Sequence, residues 1–398
     1  MTNLYNYLTE GGASGHMAHI HDYNEWTLRD IKGLIRNLFS GKIEDITEKV
    51  DGTNIQATMN TAGEVVFIRN NGDLNSARGG MTIEDMAAKW ASKPGIAKTF
   101  LTAGETITKV FNEIGPDFFN PSENRRIVAN CECVIEGKTN VMYYANSQVD
   151  FHDIWVYEKQ EDKWVNVDVT KDGFQVIEKA CEKVEQAQIT PKVFIRVAED
   201  SEKLLVNRIK QLDKLFKDAG CKENSTMADY KFNRFSDYVD EHYPELNDEE
   251  KGKYIMFNRI FQNDKKINIR LIKSLYDSDT IERIEKESAE IKGWCMQPMD
   301  DFFISLGNEI INMCDGIMNA DNKEGVVKQL KSDLKDAIEI VHNKGNESLE
   351  AKMLHQLSRF NNDSINAVEG IVFRYKGKLT KLTGSFGPLN QILGYQYK

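Results

Sequence analysis

The spacing of apolar side chains predicts a helix near the start of the chain. Leu28, Ile31, Ile35 and Leu38 recur three or four residues apart. This spacing places side chains on one face of a helix. The pattern therefore predicts a helix over 27–39, with its apolar face packed against the body of the protein.

A pattern typical of strands begins after residue 43. Polar and apolar residues alternate over 54–59, the sequence Asn-Thr-Ala-Gly follows as a turn, and a second run covers 64–69. Two such runs joined by a short polar turn predict a β-hairpin. The same reasoning predicts helices over 81–115 and strands over 127–137, 149–157 and 367–384.

The chain changes character between residues 174 and 362. Strand signals fade there, and apolar residues recur at spacings of three and four between charged residues. We interpret 174–362 as a helical insertion with a structural role, such as a lid or an oligomerisation unit. The insertion leaves an N-terminal segment at 1–42 and strand-rich parts at 43–173 and 363–398. Within it, helices are predicted over 201–219, 267–294, 301–318 and 324–342.

Length and composition describe a soluble globular protein. The chain has 398 residues, of which 40% are hydrophobic and 28% charged, enough for two or three structural units. No apolar run approaches the roughly 20 residues needed to span a bilayer. The first thirty residues also lack the basic and then apolar pattern of a signal peptide. We therefore expect a cytoplasmic protein with no membrane partner.

Cysteine content and net charge exclude several classes of protein. The six cysteines are scattered and form no Cys-x-x-Cys pair, so they are expected to be reduced thiols. This excludes a disulfide scaffold and a zinc ribbon. The net charge of −11 argues against a protein that wraps nucleic acid over its whole surface, because phosphate binding relies on Lys and Arg. A local basic groove remains compatible with it.

The candidate chemistry centres on the polar stretch Asp45–Asn54. Lys49 is followed two places later by Asp51 and then by Gly52. A lysine attacks only as the neutral amine, so a nucleophilic Lys49 needs a site that lowers its pKa through desolvation or nearby positive charge, such as a metal. Gly52 would let a polyphosphate approach the backbone. The alternative is an ordinary exposed lysine at an Asp-Gly turn.

The sequence Glu-Lys-Val-Asp-Gly-Thr-Asn over 48–54 resembles motif I of the covalent nucleotidyltransferases, which include polynucleotide ligases and mRNA capping enzymes. It is most similar to the motif of phage ATP-dependent RNA ligases. The resemblance implies an α+β nucleotidyltransferase fold, of the ATP-grasp-like ligase adenylation type, with antiparallel sheets. It also implies that Lys49 takes AMP from ATP. Asp51 would position the ribose or the attacking 3′ end, while Glu48 and Asn54 would contact nucleotide or nucleic acid.

Two later strands resemble motifs III and IIIa of the same enzymes. Glu132 lies in the middle of an apolar strand, where a buried carboxylate needs a metal, a hydroxyl or a lysine as partner. The resemblance implies a catalytic and metal-binding role for Glu132, with Glu136 as the alternative. In the next strand it implies that His152 stacks on adenine, with Phe151 beside it. An ordinary core histidine is the other interpretation of His152.

The last strands resemble motifs IV and V. Residues 367–375 match motif IV, which implies that Glu369 is catalytic and helps to hold Mg²⁺ or Mn²⁺. In the motif V position, Lys381 would be catalytic and Lys378 would contact phosphate. The two lysines are three residues apart and would point to opposite faces of a regular strand, so Lys378 is the weaker assignment. The resemblance also implies that Arg69, by its distance from Lys49 along the chain, contacts the nucleotide phosphate or the 5′-phosphate end. The alternative is a polar strand end.

Two further stretches invite a binding role. Between residues 251 and 273, basic residues are interleaved with aromatic ones, a composition that suits binding of phosphates and stacked bases. The alternative is that these basic residues only compensate the charge of the neighbouring acidic stretch 237–250. In a Gly-rich segment near the start, His16, His19 and His21 suggest a metal site, an ordered cover or an RNA-contacting arm. The basic residues that suggest nucleic-acid binding are Lys251, Lys253, Arg259, Lys265, Lys266, Arg270 and Lys273.

The motifs together imply an ATP-dependent RNA ligase that joins 5′-phosphate and 3′-hydroxyl ends through lysyl-AMP and an adenylylated 5′ end. The resemblance favours RNA over DNA for two reasons. Gly-Thr-Asn continues motif I as in RNA ligases, and only fourteen residues follow Gly384, too few for the OB domain and motif VI found in DNA ligases and capping enzymes. A phage-encoded enzyme would act in the host cytoplasm. The alternatives are a DNA or mixed-strand ligase and a non-catalytic nucleic-acid-binding protein, which would be expected to have lost Lys49, Glu132 or Glu369.

Overall fold

A computed structural model describes residues 17–69, 71–92, 94–138, 141–170, 172–252, 278–318, 322–359 and 364–396. Helices and mostly antiparallel sheets are mixed in it, which is compatible with the predicted α+β class. The helices are α1 (Leu28–Phe39), α2 (Asn71–Leu74), α3 (Ile83–Lys89), α4 (Pro94–Ile114), α5 (Pro116–Phe119), α6 (Phe174–Cys181), α7 (Ser201–Asp218), α8 (Met227–His242), α9 (Ser278–Asn312), α10 (Lys323–Asn343), α11 (Glu347–Ser358) and α12 (Phe386–Tyr395). The strands are β1 (Ala18–His19), β2 (Thr47–Lys49), β3 (Thr53–Met59), β4 (Val65–Ile68), β5 (Arg125–Val134), β6 (Gly137–Lys138), β7 (Tyr143–Tyr144), β8 (Gln148–Gln160), β9 (Lys163–Thr170), β10 (Ala187–Ile189), β11 (Phe194–Ile195), β12 (Cys314–Asp315), β13 (Gly370–Tyr375) and β14 (Lys378–Leu382).

A four-stranded sheet brings both ends of the chain together. Its order is β1-β14-β13-β2, and only the β1–β14 pair is parallel. Ile371 and Phe373 of β13 point into a core shared with α1, α7 and α9. One face of the sheet is thus buried by the N-terminal helix and by helices of the insertion.

A six-stranded sheet forms the other layer. Its order is β10-β8-β5-β3-β4, with β9 also paired to β8, and the β10–β8 pair is parallel. One face packs on α4 and α6 through Ile55, Phe111, Cys131 and Ile177. The opposite face carries Asn54, Asn130 and Glu132, because these residues alternate with core residues along β3 and β5.

Several predicted elements are confirmed. The helix expected over 27–39 is α1, and its N-cap Thr27 accepts a hydrogen bond from the Asp30 backbone N–H at 3.2 Å. The predicted hairpin is the antiparallel β3–β4 pair. Helices predicted over 81–115 are α3 and α4. In each case the apolar residues that form the pattern also form one face of a hydrophobic core.

The segment predicted as a helical insertion is mostly helical but adds one strand to the six-stranded sheet. Two predicted helices, over 267–294 and 301–318, form the single helix α9 in the described residues. Three short strands, β10, β11 and β12, were not predicted, because strands of two or three residues carry too little alternation to be recognised. Of these, β10 extends the six-stranded sheet beside Val149–Phe151.

The C-terminal helices form a third core. Helices α10, α11 and α12 pack together, with Leu334, Met353 and Ile392 at their centre. Val50 and Val141 join this core from the strand-rich part of the chain. Among the described helices, none is both long enough and apolar enough to cross a bilayer.

Candidate active site

The side chain of Lys49 meets that of Glu369 at the edge of the four-stranded sheet. Strand β2 is antiparallel to β13, and Lys49 lies opposite Gly370. Its Nζ is 2.6 Å from Glu369 Oε1, and only 9% of the Glu369 side chain is exposed. Lys49 and Glu369 thus form one largely buried ion pair.

Lys381 occupies the same face of the sheet as Lys49. Directly opposed residues of an antiparallel pair share a face, and Lys381 lies opposite Val372 just as Lys49 lies opposite Gly370. Lys378 lies opposite Tyr375, on the other face, where it is half exposed and 3.5 Å from Glu25. The structure therefore brings Lys381 to the side of Lys49 and places Lys378 away from it.

Glu132 approaches from the six-stranded sheet. It lies opposite Asn54 in the β3–β5 pair, and Asn54 Nδ2 donates to Glu132 Oε2 at 3.4 Å and to Asn130 Oδ1 at 3.0 Å. Glu132 is close enough to Lys49 for each charge to shift the pKa of the other. Glu136, the alternative carboxylate, is exposed and its backbone N–H bonds to Ser147 Oγ.

Burial and opposed charges set the titration of this cluster. Burial raises the pKa of Glu132 to about 8 and that of Glu369 to about 7, against the attraction of Lys49. Burial also disfavours the ammonium form of Lys49, but Glu369 and Glu132 outweigh it and raise the pKa of Lys49 above its ordinary value. Of the two conditions that would lower the pKa of Lys49, desolvation alone does not suffice in this arrangement of side chains. Its neutral form requires added positive charge near the two carboxylates.

The pKa of Lys381 moves in the opposite direction. Burial lowers it, and the positive charge of Lys49 lowers it further, while Glu369 opposes both. Glu369 is already paired with Lys49, and Asp22 is the one further acid among the main electrostatic partners of Lys381 in the described residues. This side of the cluster is suited to an anion such as a phosphate.

Asp51 and Gly52 shape the backbone around Lys49. Asp51 Oδ2 accepts hydrogen bonds from the backbone N–H groups of Val141 and Met142, both at 2.7 Å, and its own N–H donates to Tyr144 Oη at 2.7 Å. A Cβ on Gly52 would lie 2.5 Å from the carbonyl oxygen of Cys133. The glycine is therefore needed for close approach of β5, whereas the sequence suggested a polyphosphate.

Glu48 lies in a separate buried polar cluster. It is 1% exposed, and its Oε2 accepts from the Met318 backbone N–H at 2.6 Å. Burial raises its pKa to about 8, with nearby Asp150 adding to the effect. Asp150 accepts from Gln188 Nε2 at 2.5 Å. Sequence reasoning missed Asp150, although a carboxylate inside an apolar strand is the signal that singled out Glu132.

A β-bulge separates the roles of His152 and Phe151. The β5–β8 pairing passes from Asn130–Asp153 to Cys131–Phe151, so His152 is the extra residue. His152 Nδ1 lies 2.7 Å from Thr190 Oγ1, and its Nε2 lies 3.9 Å from Glu132 Oε2. The side chain of Phe151 is fully buried against the apolar core, as expected for the partner of a core cysteine. Its predicted contact with the nucleotide does not agree with this position.

Arg69 follows β4 and returns to the start of β3, as the hairpin predicts. Its guanidinium donates to the backbone carbonyl of Asn54, and its own N–H donates to Asp73 Oδ2 at 2.9 Å. Burial lowers the pKa of Arg69, although the charge of Glu132 opposes this. Arg69 therefore supports the strand that carries Asn54 and lies near Glu132.

A metal at this site would depend on the carboxylates around Lys49. In the described ranges, no group of three or more His, Cys, Asp or Glu residues could hold a metal ion. Glu132 and Glu369 provide two carboxylates beside Lys49. Mg²⁺ is commonly held by one or two carboxylates together with the phosphates of a substrate. The pair therefore fits a cation that binds with a nucleotide, and does not resemble an all-protein site.

One residue of the predicted nucleic-acid-binding stretch can be placed. Lys251 Nζ forms an ion pair with Asp240 Oδ1 at 2.8 Å, which agrees with charge compensation between the basic and acidic stretches. The other predicted contacts lie outside the described residues: Lys253, Arg259, Lys265, Lys266, Arg270 and Lys273.

Part of this chain is similar to a solved structure. No protein-family model matches the sequence, and a search of curated proteins finds no match. A solved structure of an archaeal ATP-dependent RNA ligase, form 2, is 12% identical over 73% of this chain and 66% of its own length, with a TM-score of 0.23. The chain thus spans slightly less than two thirds of that ligase. A TM-score this low does not establish a common fold.

Proposed function

We propose that the protein is an ATP-dependent RNA ligase with a nucleotidyltransferase fold. The observation that carries the proposal is the meeting of Lys49, Glu369 and Glu132 between two sheets, with Lys381 on the same face as Lys49. The pairing of β2 with β13 supports one domain assembled from 43–173 and 363–398 around an inserted segment.

The first step is transfer of AMP from ATP to Lys49. A bond forms between Nζ and the α-phosphorus as the bond from that phosphorus to the bridging oxygen breaks, and pyrophosphate leaves in line. The ammonium must first lose a proton, and the Lys49 side chain is 23% exposed, which gives that proton a route to solvent. Mg²⁺ or Mn²⁺, which Glu132 and Glu369 would hold together with the phosphates, supplies charge that neutralises the triphosphate and offsets the two carboxylates.

The remaining side chains orient the substrates. Lys381 contacts phosphate from the face it shares with Lys49, and Asn54 positions Glu132 through their hydrogen bond. His152, fixed by Thr190 beside Glu132, provides a ring for adenine. The AMP then passes to a 5′-phosphate end, and a 3′-hydroxyl displaces it to form the phosphodiester.

The test begins with ATP labelled at the α-phosphate and magnesium, followed by denaturing electrophoresis. We expect a covalent label that pyrophosphate releases and that Lys49→Ala abolishes. Lys183→Ala is the matched control, because this exposed lysine pairs with Glu113 on the surface. An unlabelled, folded wild-type protein that carries no bound AMP would overturn the proposal.

The second arm identifies the polynucleotide. Nicked duplexes with RNA or DNA on each side of the break, and single strands of each kind, are offered to the adenylylated protein. Sealing is expected where both strands at the break are RNA. Equal sealing of all-DNA nicks would instead support a DNA or mixed-strand ligase.

A further inference from the structure

The N-terminal histidine segment lies within the candidate active site. Strand β1 runs parallel to β14, with His19 opposite Lys381. Since Lys381 shares a face with Lys49, the sheet carries a row across its strands that runs from Lys49 through Lys381 towards His19. Neighbouring strands are about 4.8 Å apart, so the His19 backbone is next to that of Lys381.

We propose that His19 binds the β- and γ-phosphates of the nucleoside triphosphate and the pyrophosphate that leaves. The inference rests on the proposed function and extends it to the leaving group. With the α-phosphorus at Lys49, in-line displacement directs the departing phosphates away from Lys49. The row of Lys381 and His19 provides a cation and an imidazole in that part of the site.

The position of His19 is fixed by neighbouring groups. Its backbone N–H donates to Asp22 Oδ2 at 2.8 Å, and its ring stacks on that of His21 with centroids 5.2 Å apart. His21 in turn lies 3.3 Å from Asp300 of α9 and packs on Phe303. The insertion therefore holds the histidine segment against the sheet, which gives His19 a defined orientation.

The charges around His19 favour an anion. Lys381 and Lys49 are the lysines that act on its ring, and Asp22 is the one acid among its main electrostatic partners in the described residues. Burial, followed by Lys381, lowers the pKa of His19 to about 3. A polyphosphate placed between His19 and Lys381 would reverse the effect of the lysine and favour a protonated ring.

The test compares lysyl-AMP formation and its reversal, which both involve pyrophosphate, with nick sealing, which does not. His19→Ala is expected to slow lysyl-AMP formation and its reversal by pyrophosphate by roughly 10- to 100-fold, the loss of one hydrogen bond to a charged group. Sealing of a pre-adenylylated nicked RNA, which releases AMP and no pyrophosphate, should stay within about twofold, because that step lacks the contact. His19→Gln, which keeps an N–H donor, should restore part of the loss. His355→Ala, at an exposed histidine of α11, is the matched control.

The outcomes distinguish this inference from the ligase proposal. Equal loss of rate in all three steps, or no loss in any step, would overturn the role of His19. The ligase proposal would still stand if the wild-type protein takes the label. Binding of inorganic pyrophosphate with magnesium is measured in parallel by calorimetry. Weaker binding by His19→Ala supports the phosphate contact even if the wild type takes no label, and equal binding by both proteins contradicts it.

Discussion

Lys49 and Glu369 lie near opposite ends of the chain, yet their charged atoms are 2.6 Å apart. Pairing of β2 with β13 creates this contact, since Glu369 directly precedes the residue opposite Lys49. The negative charges of Glu369 and Glu132 favour the protonated form of Lys49 until positive charge is added near these two carboxylates. The chemistry of Lys49 therefore depends on a strand that is synthesised long after it.

Lys381→Ala and Lys378→Ala form a matched pair on one strand. Because Lys381 shares the face of Lys49 and Lys378 lies on the other, we expect only Lys381→Ala to slow lysyl-AMP formation, by about 10- to 100-fold for a lost charged contact. Single-turnover labelling measures both rates. Equal slowing by the two variants would contradict the assignment of faces.

Gly52→Ala should damage both stability and activity. The new Cβ would lie 2.5 Å from the Cys133 carbonyl oxygen and 2.9 Å from Glu132 Cγ, so β3 and β5 must separate. We expect a loss of about 1–3 kcal/mol in the free energy of unfolding, as for other overpacked sites. Urea denaturation measures it. Gly293→Ala in α9, where a Cβ meets nothing, should be neutral or stabilising.

Substitution of His152 separates its two interpretations. If the ring stacks on adenine, His152→Ala raises KM for ATP by roughly 2- to 12-fold, as expected for the loss of the ~0.5–1.5 kcal/mol of an aromatic pair, and His152→Phe retains much of the affinity. Thermal unfolding of each variant is recorded beside the labelling kinetics. A large fall in melting temperature with unchanged KM would identify His152 as a core histidine held by Thr190.

Glu48 should make stability depend on pH. Its folded pKa of about 8 exceeds the ordinary value of 4.5, so between these values the folded state binds a proton that the unfolded state has lost. The free energy of unfolding therefore falls as pH rises from about 5 to 8. Glu48→Gln, which keeps an oxygen for Met318, should remove about 3 kcal/mol of this change. Denaturation at pH 5 and pH 8 measures it, and Glu339→Gln, at an exposed glutamate, should leave the slope unaltered. An identical slope in wild type and Glu48→Gln would contradict the assignment.

The periodicity of apolar residues predicted the longer helices and strands correctly, but it did not predict how short strands pair. The helix α1 and the hairpin β3–β4 were predicted because each contains enough residues to show its period. The bulge at His152 shifts the alternation by one residue, so the pattern did not reveal that Phe151 belongs to the core. The two-residue strand β1 had no detectable signal.

By itself the sequence predicted the strand that carries Glu132 and the opposed directions of Lys378 and Lys381, because these follow from residues adjacent along the chain. Only the tertiary structure decided that Glu132 rather than Glu136 meets Lys49 and that His19 lies beside Lys381. It also decided that the pKa of Lys49 is raised. These properties depend on burial and on partners distant in the chain, and short-range periodicity contains no information about either.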